Sequence, residues 1–188
     1  MKTAPLLAAA LALSCGNPDN QVVGNLSATA NSPVVSFDNI RSVISGTATL
    51  KDSGGQSSIA SVVIISDQKN LCDALKAHPD YFHTPQVGNV ALILYAPADR
   101  LGVFSQGRDP HTGAVVYATN GPPAPVVAIP ASDGAFISLT NFDLGEGGQG
   151  SGSFEGLFQD QGGTGALHDL YGRFKSTVCS GISGVQLP

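Results

Sequence analysis

Short runs of β-branched and apolar residues, separated by glycine, proline and small polar residues, constrain the fold of this chain more than any other feature. The clearest runs are residues 40–51, 59–65 and 90–95. The first alternates loosely between apolar and polar residues, which predicts a strand with one buried face. The second is almost continuously apolar, which predicts a central strand buried on both faces.

The pattern continues through the rest of the chain. Residues 102–104 and 114–119 flank a segment with an Asp-Pro pair and predict a hairpin. Residues 120–130 contain four prolines and predict an extended edge or loop, since proline cannot donate to a β-ladder. Further strands are predicted within residues 22–28 or 34–37 near the N-terminus, and at 135–142, 153–158 and 167–178.

A single segment has helical spacing. In residues 68–77, Leu71, Cys72 and Leu75 share one face, Ser66 or Asp67 precedes as a candidate cap, and Pro79 follows as a terminator. The sequence therefore predicts a mainly β fold, an antiparallel β-sandwich or curved sheet with one short helix.

The composition limits the partners. Charged residues make up 12% of the chain and the net charge is −5, with no basic cluster. A nucleic-acid partner is therefore not expected, because such proteins carry a basic patch. A hydrophobic content of 42% is typical of a globular domain.

The N-terminus has the pattern of an export signal. Lys2 is followed by residues 5–13, which contain no charge. This run is too short for a transmembrane helix, which needs about 20 apolar residues, and it fits a secretory signal peptide. Cleavage after Ala10-Leu11-Ala12 would release a soluble protein with a free thiol at Cys15.

Residues 11–16, Leu-Ala-Leu-Ser-Cys-Gly, resemble the lipobox of bacterial lipoproteins. The resemblance implies that Cys15 is lipidated and becomes the first mature residue, so that the membrane is a partner through Cys15. Since Gly16 rather than aspartate follows, it also implies the outer membrane of a bacterial cell envelope. The chain then divides into a signal peptide (1–14), a lipid anchor and tether (15–36) and one β-rich domain (37–188).

Three cysteines are present. If Cys15 carries the lipid, Cys72 and Cys179 remain as an even pair, which in an exported chain predicts a disulfide. The alternative is two reduced, buried thiols.

The C-terminal third carries a second resemblance. Residues 152–158 (Gly-Ser-Phe-Glu-Gly-Leu-Phe) and 170–175 (Leu-Tyr-Gly-Arg-Phe-Lys) precede Cys179. They are similar to the closing G-x-F hairpin of functionally uncharacterised β-rich outer-membrane lipoproteins, in which an earlier cysteine follows a short helix, as Cys72 does. The resemblance implies architecture and no activity.

Candidate catalytic and metal-binding residues give weak patterns. His78, Asp80 and His83 could begin a zinc site, but Pro79 breaks the helix that would align the histidines, and a polar loop is the favoured interpretation. His111 lies in a turn-forming segment, Arg-Asp-Pro-His-Thr-Gly. The sequence predicts no metal site and no cofactor.

A hydrolase triad is also disfavoured. His168 precedes Asp169, but Ser151 lacks the Gly-x-Ser-x-Gly spacing of a nucleophile elbow. The glycine-rich residues 145–152 lack the lysine of a phosphate-binding loop. Asp143 and Glu146 lack the spacing of a calcium loop. No catalytic residue is predicted.

The expected function is therefore a lipid-anchored, non-enzymatic envelope protein that binds or scaffolds a partner protein. One alternative is a carrier of a small apolar ligand, held in the space that β folds can enclose. A hydrolase, the least favoured alternative, requires one of the histidines to meet a distant partner in space.

Overall fold

The computed structural model describes residues 19–27, 34–51, 55–84, 89–98, 100–119, 127–132, 134–145, 147–160 and 165–187. The elements, in chain order, are β1 (Gln21–Val23), β2 (Asn25–Ser27), β3 (Val34–Ser36), β4 (Ser42–Lys51), β5 (Ser57–Ser66), α1 (Leu71–Ala77), β6 (Asn89–Pro97), β7 (Gly102–Ser105), β8 (Gly113–Thr119), β9 (Val127–Pro130), β10 (Phe136–Phe142), β11 (Gln149–Gln159), β12 (Leu167–Val178) and a 3-10 helix (Ser180–Gly184).

Most of the strands form one sheet. Its order is β7-β10-β11-β12-β4-β5-β6-β8-β9, with β1 also paired to β12, while β2 and β3 pair separately. Every named pairing is antiparallel except β12 with β4, which is parallel. The predicted mainly β class with one short α-helix is confirmed for the described residues.

The middle of the sheet is buried on both faces. In β6, Leu92 and Leu94 point into the inner core, and Ala91 and Ile93 point into an outer core. This double burial explains why β5 and β6 are almost continuously apolar, since a strand covered on both sides has no polar face.

The inner core is closed by curvature of the sheet. Ala131, just after β9, forms a bridge to Phe158 of β11, so the β9 end of the sheet returns to β11. Phe104, Phe154 and Phe174 are buried in the enclosed space with Phe158. Large apolar side chains therefore occupy this part of the interior.

The outer core lies under a small helical layer. Leu71 and Leu75 of α1 and Ile182 of the 3-10 helix pack on the outer side of β4, β5 and β6. A disulfide joins Cys72 of α1 to Cys179, and the predicted pairing is thus confirmed. Phe82 packs edge to face against both Tyr81 and Tyr117, and this aromatic group extends the layer.

Helix α1 begins later than the predicted residue 68. Its N-cap is Asn70, whose left-handed backbone (φ 54°) stops the helix from extending backwards. The candidate caps have other roles. The Ser66 hydroxyl accepts a hydrogen bond from the Gln68 amide, and the Asp67 carboxylate accepts one from the Val90 amide.

The predicted hairpin between residues 102–104 and 114–119 is wrong. Strand β7 pairs with β10, whereas β8 lies between β6 and β9. The intervening turn therefore takes the chain from β7, at one end of the strand order, to β8, which is next to β9 at the other end. Asp109 stabilises this turn, because its carboxylate accepts a hydrogen bond from the Ser105 amide at 2.8 Å.

Both N-terminal segments predicted as first strands form strands. β1 extends the sheet beside β12, with Gln21 opposite Arg173 and Val23 opposite Tyr171. β2 and β3 pair with each other, and Leu26 and Val35 are buried in the inner core. Chain from within residues 15–36 is therefore part of the folded structure.

Candidate functional site: the open face of the sheet

One half of the sheet has an outer surface on which no described element packs. This surface, the open face, comprises the outward side chains of β7, β10, β11, β12 and β1. In β11, buried residues alternate with exposed ones from residue 153 to residue 159. In β12, the same alternation holds from residue 169 to residue 171. The inward members are phenylalanine, leucine and glycine, so the alternation follows from the pleat of the strands.

Large apolar side chains are exposed on the open face. They are 41–63% exposed, although a soluble protein usually buries such residues when it can. They lie on neighbouring strands of one surface, and clustering of this kind marks interaction sites more often than isolated exposed residues do. The set is Val103, Phe136, Leu157, Leu167 and Tyr171.

The strand register aligns the open face into rows. Phe136 lies opposite Glu155, Glu155 opposite Tyr171, and Tyr171 opposite Val23. Directly opposed residues on one sheet face have Cβ atoms about 4.5–5.5 Å apart. Four strands therefore contribute one continuous row in which a carboxylate lies between aromatic side chains.

A groove runs along β12 within this face. Its volume is about 660 Å³, and its walls include Gln21 and Val23 on one side and Ser153 and Glu155 on the other. A second groove of about 340 Å³ adjoins it and shares Ser153 and Arg173 with the first. Together they follow β12 from Asp169 to Lys175.

Glycine residues allow the strands beneath the groove to come close. A Cβ at Gly172 would collide with the backbone carbonyl oxygen of Gln21, and one at Gly152 with that of Ser138. β1 and β10 therefore approach their neighbours more closely than side chains at these positions would permit.

The charged groups of the groove are available for a ligand. Within the described part of the chain, Glu155, Asp169 and Arg173 form no ion pair. Lys175 lies 4.0 Å from Asp19, with both side chains more than half exposed. An exposed pair of this kind is weak, so a partner can compete for either group.

The residues singled out from the sequence do not gather at this face. Cys15 and Glu146 lie outside the described residues. His78 and His83 are exposed in the turn after α1, where the Asp80 carboxylate accepts a hydrogen bond from Thr84. No group of three or more metal-ligating side chains occurs in the described ranges.

The remaining histidines occupy separate places. His111 Nδ1 lies 3.1 Å from the Ser58 hydroxyl, and His168 Nε2 lies 3.9 Å from the Asp160 carboxylate. Because His168 and Asp169 are consecutive in β12, their side chains point to opposite faces, and Asp169 does not orient the imidazole.

The polar residues of the glycine-rich turn also have local roles. The Ser151 hydroxyl lies 3.0 Å from that of Thr140 at the edge of the second groove. The Asp143 carboxylate accepts a hydrogen bond from the Gly145 amide. The end of the glycine-rich segment 145–152 is part of a strand, since β11 begins at Gln149.

Sequence analysis did not identify the residues of the open face. The signal was present, because the outward positions of β11 and β12 alternate with buried phenylalanine and leucine. Which outward residues lie side by side depends on the strand order, and the alternation does not contain that information.

Among the described residues, no helix has the length and apolarity needed to cross a lipid bilayer. Neither models of protein families, nor curated proteins, nor solved structures give a match to this chain.

Proposed function

We propose that this chain is a lipid-anchored, non-enzymatic envelope protein that docks a partner protein on the open face of its sheet. The row formed by Phe136, Glu155, Tyr171 and Val23 carries the proposal. It offers exposed aromatic rings beside the Glu155 carboxylate, and the Arg173 guanidinium lies one row away; neither charged group has an ion-pair partner among the described residues. Tyrosine, phenylalanine and arginine are the residues that protein interfaces favour.

The shape of the face fits a protein partner better than a small molecule. Both grooves are shallow depressions along a strand, and their charged residues have both signs. A mixed, partly apolar surface of this kind suits an extended or flat protein segment. Phenylalanine side chains occupy part of the inner core in the described chain, which does not favour the alternative of an apolar-ligand carrier.

The anchoring part of the proposal rests on the lipobox resemblance at Cys15. Intact mass of the protein purified from membranes, beside a Cys15→Ser variant, tests it. A diacylated or triacylated mass that the variant lacks is expected. An unmodified chain beginning at Leu13 would contradict the anchor.

Site-specific photocrosslinking in cells tests the docking face. A photoreactive residue at Tyr171 is expected to give one protein adduct of defined mass, and the Arg173→Glu change is expected to abolish it. Ile59, which is 62% exposed on β5, is the matched control and is expected to give no adduct. Equal adducts at both positions, or none at Tyr171, would rule out docking at this face.

One contact favours a second candidate function. The Ser58 hydroxyl and His111 Nδ1 are 3.1 Å apart, which is within reach of a nucleophile and its base. Such a pair also needs a third group to orient the imidazole. The Asp109 carboxylate, two residues before His111, accepts a hydrogen bond from the Ser105 amide and so already has another partner. Activated-ester hydrolysis that disappears in both Ser58→Ala and His111→Ala would establish a hydrolase. Equal rates in the parent and both variants would remove this candidate.

A further inference from the structure

We propose that a cavity beside the C-terminal end of β12, separate from the two grooves of the open face, binds a phosphate group. The cavity measures about 630 Å³ and is lined by parts of α1, β4 and the 3-10 helix and by Leu144 and Gly147. This volume is within the usual range of small-molecule sites. The proposal is independent of the open face, since the two share no lining residue.

The charge of the cavity favours an anion. Lys76 is the only charged side chain among the described residues that line it, and no described carboxylate lines it. Lys76 also forms no ion pair with a described residue. The described part of the cavity wall therefore carries a net positive charge.

The uncharged donors favour phosphate over a carboxylate. Three hydroxyl side chains, Thr47, Ser180 and Ser183, line the cavity with the Lys76 ammonium. Those of Thr47 and Ser180 have no hydrogen-bond partner among the described residues, and that of Ser183 donates to the Ser180 carbonyl at 3.0 Å. Several donors around one cation match an anion with three or more terminal oxygens, whereas a carboxylate offers two.

The remaining wall suits the carbon part of a phosphate ester. Leu144, which is 41% exposed, and Val178 line the cavity beside the polar groups. A bound ester would cover this apolar surface, which is favourable because it removes apolar area from water. The site is therefore expected to prefer an organic phosphate over inorganic phosphate.

The disulfide holds the two sides of the cavity together. Cys72 and Lys76 are four residues apart in α1 and so lie on one helix face. Cys179, the bonded partner of Cys72, lines the cavity directly before the 3-10 helix that carries Ser180 and Ser183. The backbone segments that carry the lysine and the hydroxyl groups are thus held next to each other, and constraint of this kind lowers the entropy lost on binding.

Gly181 provides a second constraint on Lys76. A Cβ at this position would lie 2.9 Å from Lys76 Cγ and 3.2 Å from the Cys72 carbonyl oxygen. The aliphatic part of the lysine therefore lies close to the 3-10 helix at Gly181.

An NMR titration with inorganic phosphate at constant ionic strength tests the site. Saturable shifts are expected at the amides of Thr47, Lys76 and Ser180. The Lys76→Met variant is expected to bind about tenfold more weakly or worse, since a hydrogen bond to a charged group contributes about 1.5–3 kcal/mol. The matched control is Lys69→Met, one residue before the helix cap, and its affinity is expected to equal that of the parent.

The controls separate the possible outcomes. Unchanged thermal midpoints show that both variants are folded. Shifts that do not saturate, or equal binding by Lys76→Met and Lys69→Met, would overturn the proposal. Weaker phosphate binding in a folded Cys72→Ser/Cys179→Ser variant is expected from the bracing role of the disulfide.

Two further probes identify the source of the phosphate. Binding of glycerol phosphate with no Lys76-dependent binding to phosphatidic acid vesicles indicates a free ester. Vesicle binding that Lys76→Met loses and Lys69→Met keeps indicates a lipid headgroup. Failure of both probes together with inorganic phosphate would refute the site and would leave the docking face unaffected.

Discussion

Cys72 and Cys179 are 107 residues apart in the sequence, yet their Cα atoms are 5.7 Å apart and their sulfur atoms are bonded. The bond joins the only described α-helix to the chain directly after the last strand. It therefore holds the helical layer against the outer face of β4, which pairs with β12 through just two parallel residue pairs.

Removing this disulfide is expected to destabilise the protein strongly. In the chain-entropy model, cross-linking a loop of about 100 residues contributes about 4.7 kcal/mol. Calorimetry of the parent should show a lower melting temperature with reductant, and Cys72→Ser/Cys179→Ser should show the same decrease without it. If reductant left the melting temperature of the parent unchanged, the disulfide would not be stabilising.

Gly172→Ala is expected to loosen β1 from the sheet. The added Cβ would meet the Gln21 carbonyl oxygen, and backbone atoms cannot move aside as a flexible side chain can. Overpacking of this kind usually costs about 1–3 kcal/mol, which denaturant unfolding would measure. Gly113→Ala is the matched control, because a Cβ on this β8 glycine meets no atom within 4 Å. Equal unfolding midpoints for the two variants would show that the close approach of β1 is unimportant.

Neighbouring residues of β11 are expected to respond differently to truncation. Phe158 is fully buried in the inner core, and replacing it with alanine should cost about 3–5 kcal/mol. Leu157 is 41% exposed on the open face, and Leu157→Ala should change the free energy of unfolding by less than about 0.5 kcal/mol. A large loss from Leu157→Ala would mean that the face stabilises the fold and is covered.

Stability is expected to fall in alkali as the buried tyrosines ionise. Burial raises the pKa of Tyr117 to about 12, and burial with the nearby charges of Tyr117 and Asp67 raises the pKa of Tyr81 to about 12. Burial also raises the pKa of Tyr95, whose hydroxyl has no hydrogen-bond partner among the described residues.

The direction follows from proton binding. Above pH 10 the unfolded chain loses tyrosine protons that the native chain retains, so the native state is disfavoured as pH rises from 10 to about 12. Absorbance of ionised tyrosine, followed together with circular dichroism, should show ionisation of these residues coinciding with unfolding. Ionisation of all tyrosines near pH 10 with the fold intact would contradict this burial.

Most strands could be predicted from the sequence because their signal is local. β5 and β6 lie within one to two residues of the predicted runs, since continuous apolar residues in a short segment have few other solutions. The pairing of β7 could not be predicted. Its four residues fit a pairing with β8 as well as one with β10. The observed register places Ser105 opposite Phe136 and Gly102 opposite Leu139, and these partners are distant from β7 in the sequence.

The proposed sites show the same division. Tyr171 and Glu155 each occupy an outward strand position that alternation alone predicts, but their opposition depends on the β11–β12 register. Lys76 has no distinguishing feature in the sequence. It lines a cavity because the disulfide and Gly181 bring the 3-10 helix to its side.

The sequence by itself determined the mainly β class and the short helix, because periodicity and helix-terminating residues act within one segment. It pointed to the Cys72–Cys179 pair only together with the lipobox resemblance, which sets Cys15 apart from the other two cysteines. The strand order, the parallel contact of β12 with β4, the open face and the cavity beside Lys76 were decided only by the tertiary structure. These features depend on which strands and helices pack against each other. That packing is set by the apolar area that the whole chain removes from water, which no single segment determines.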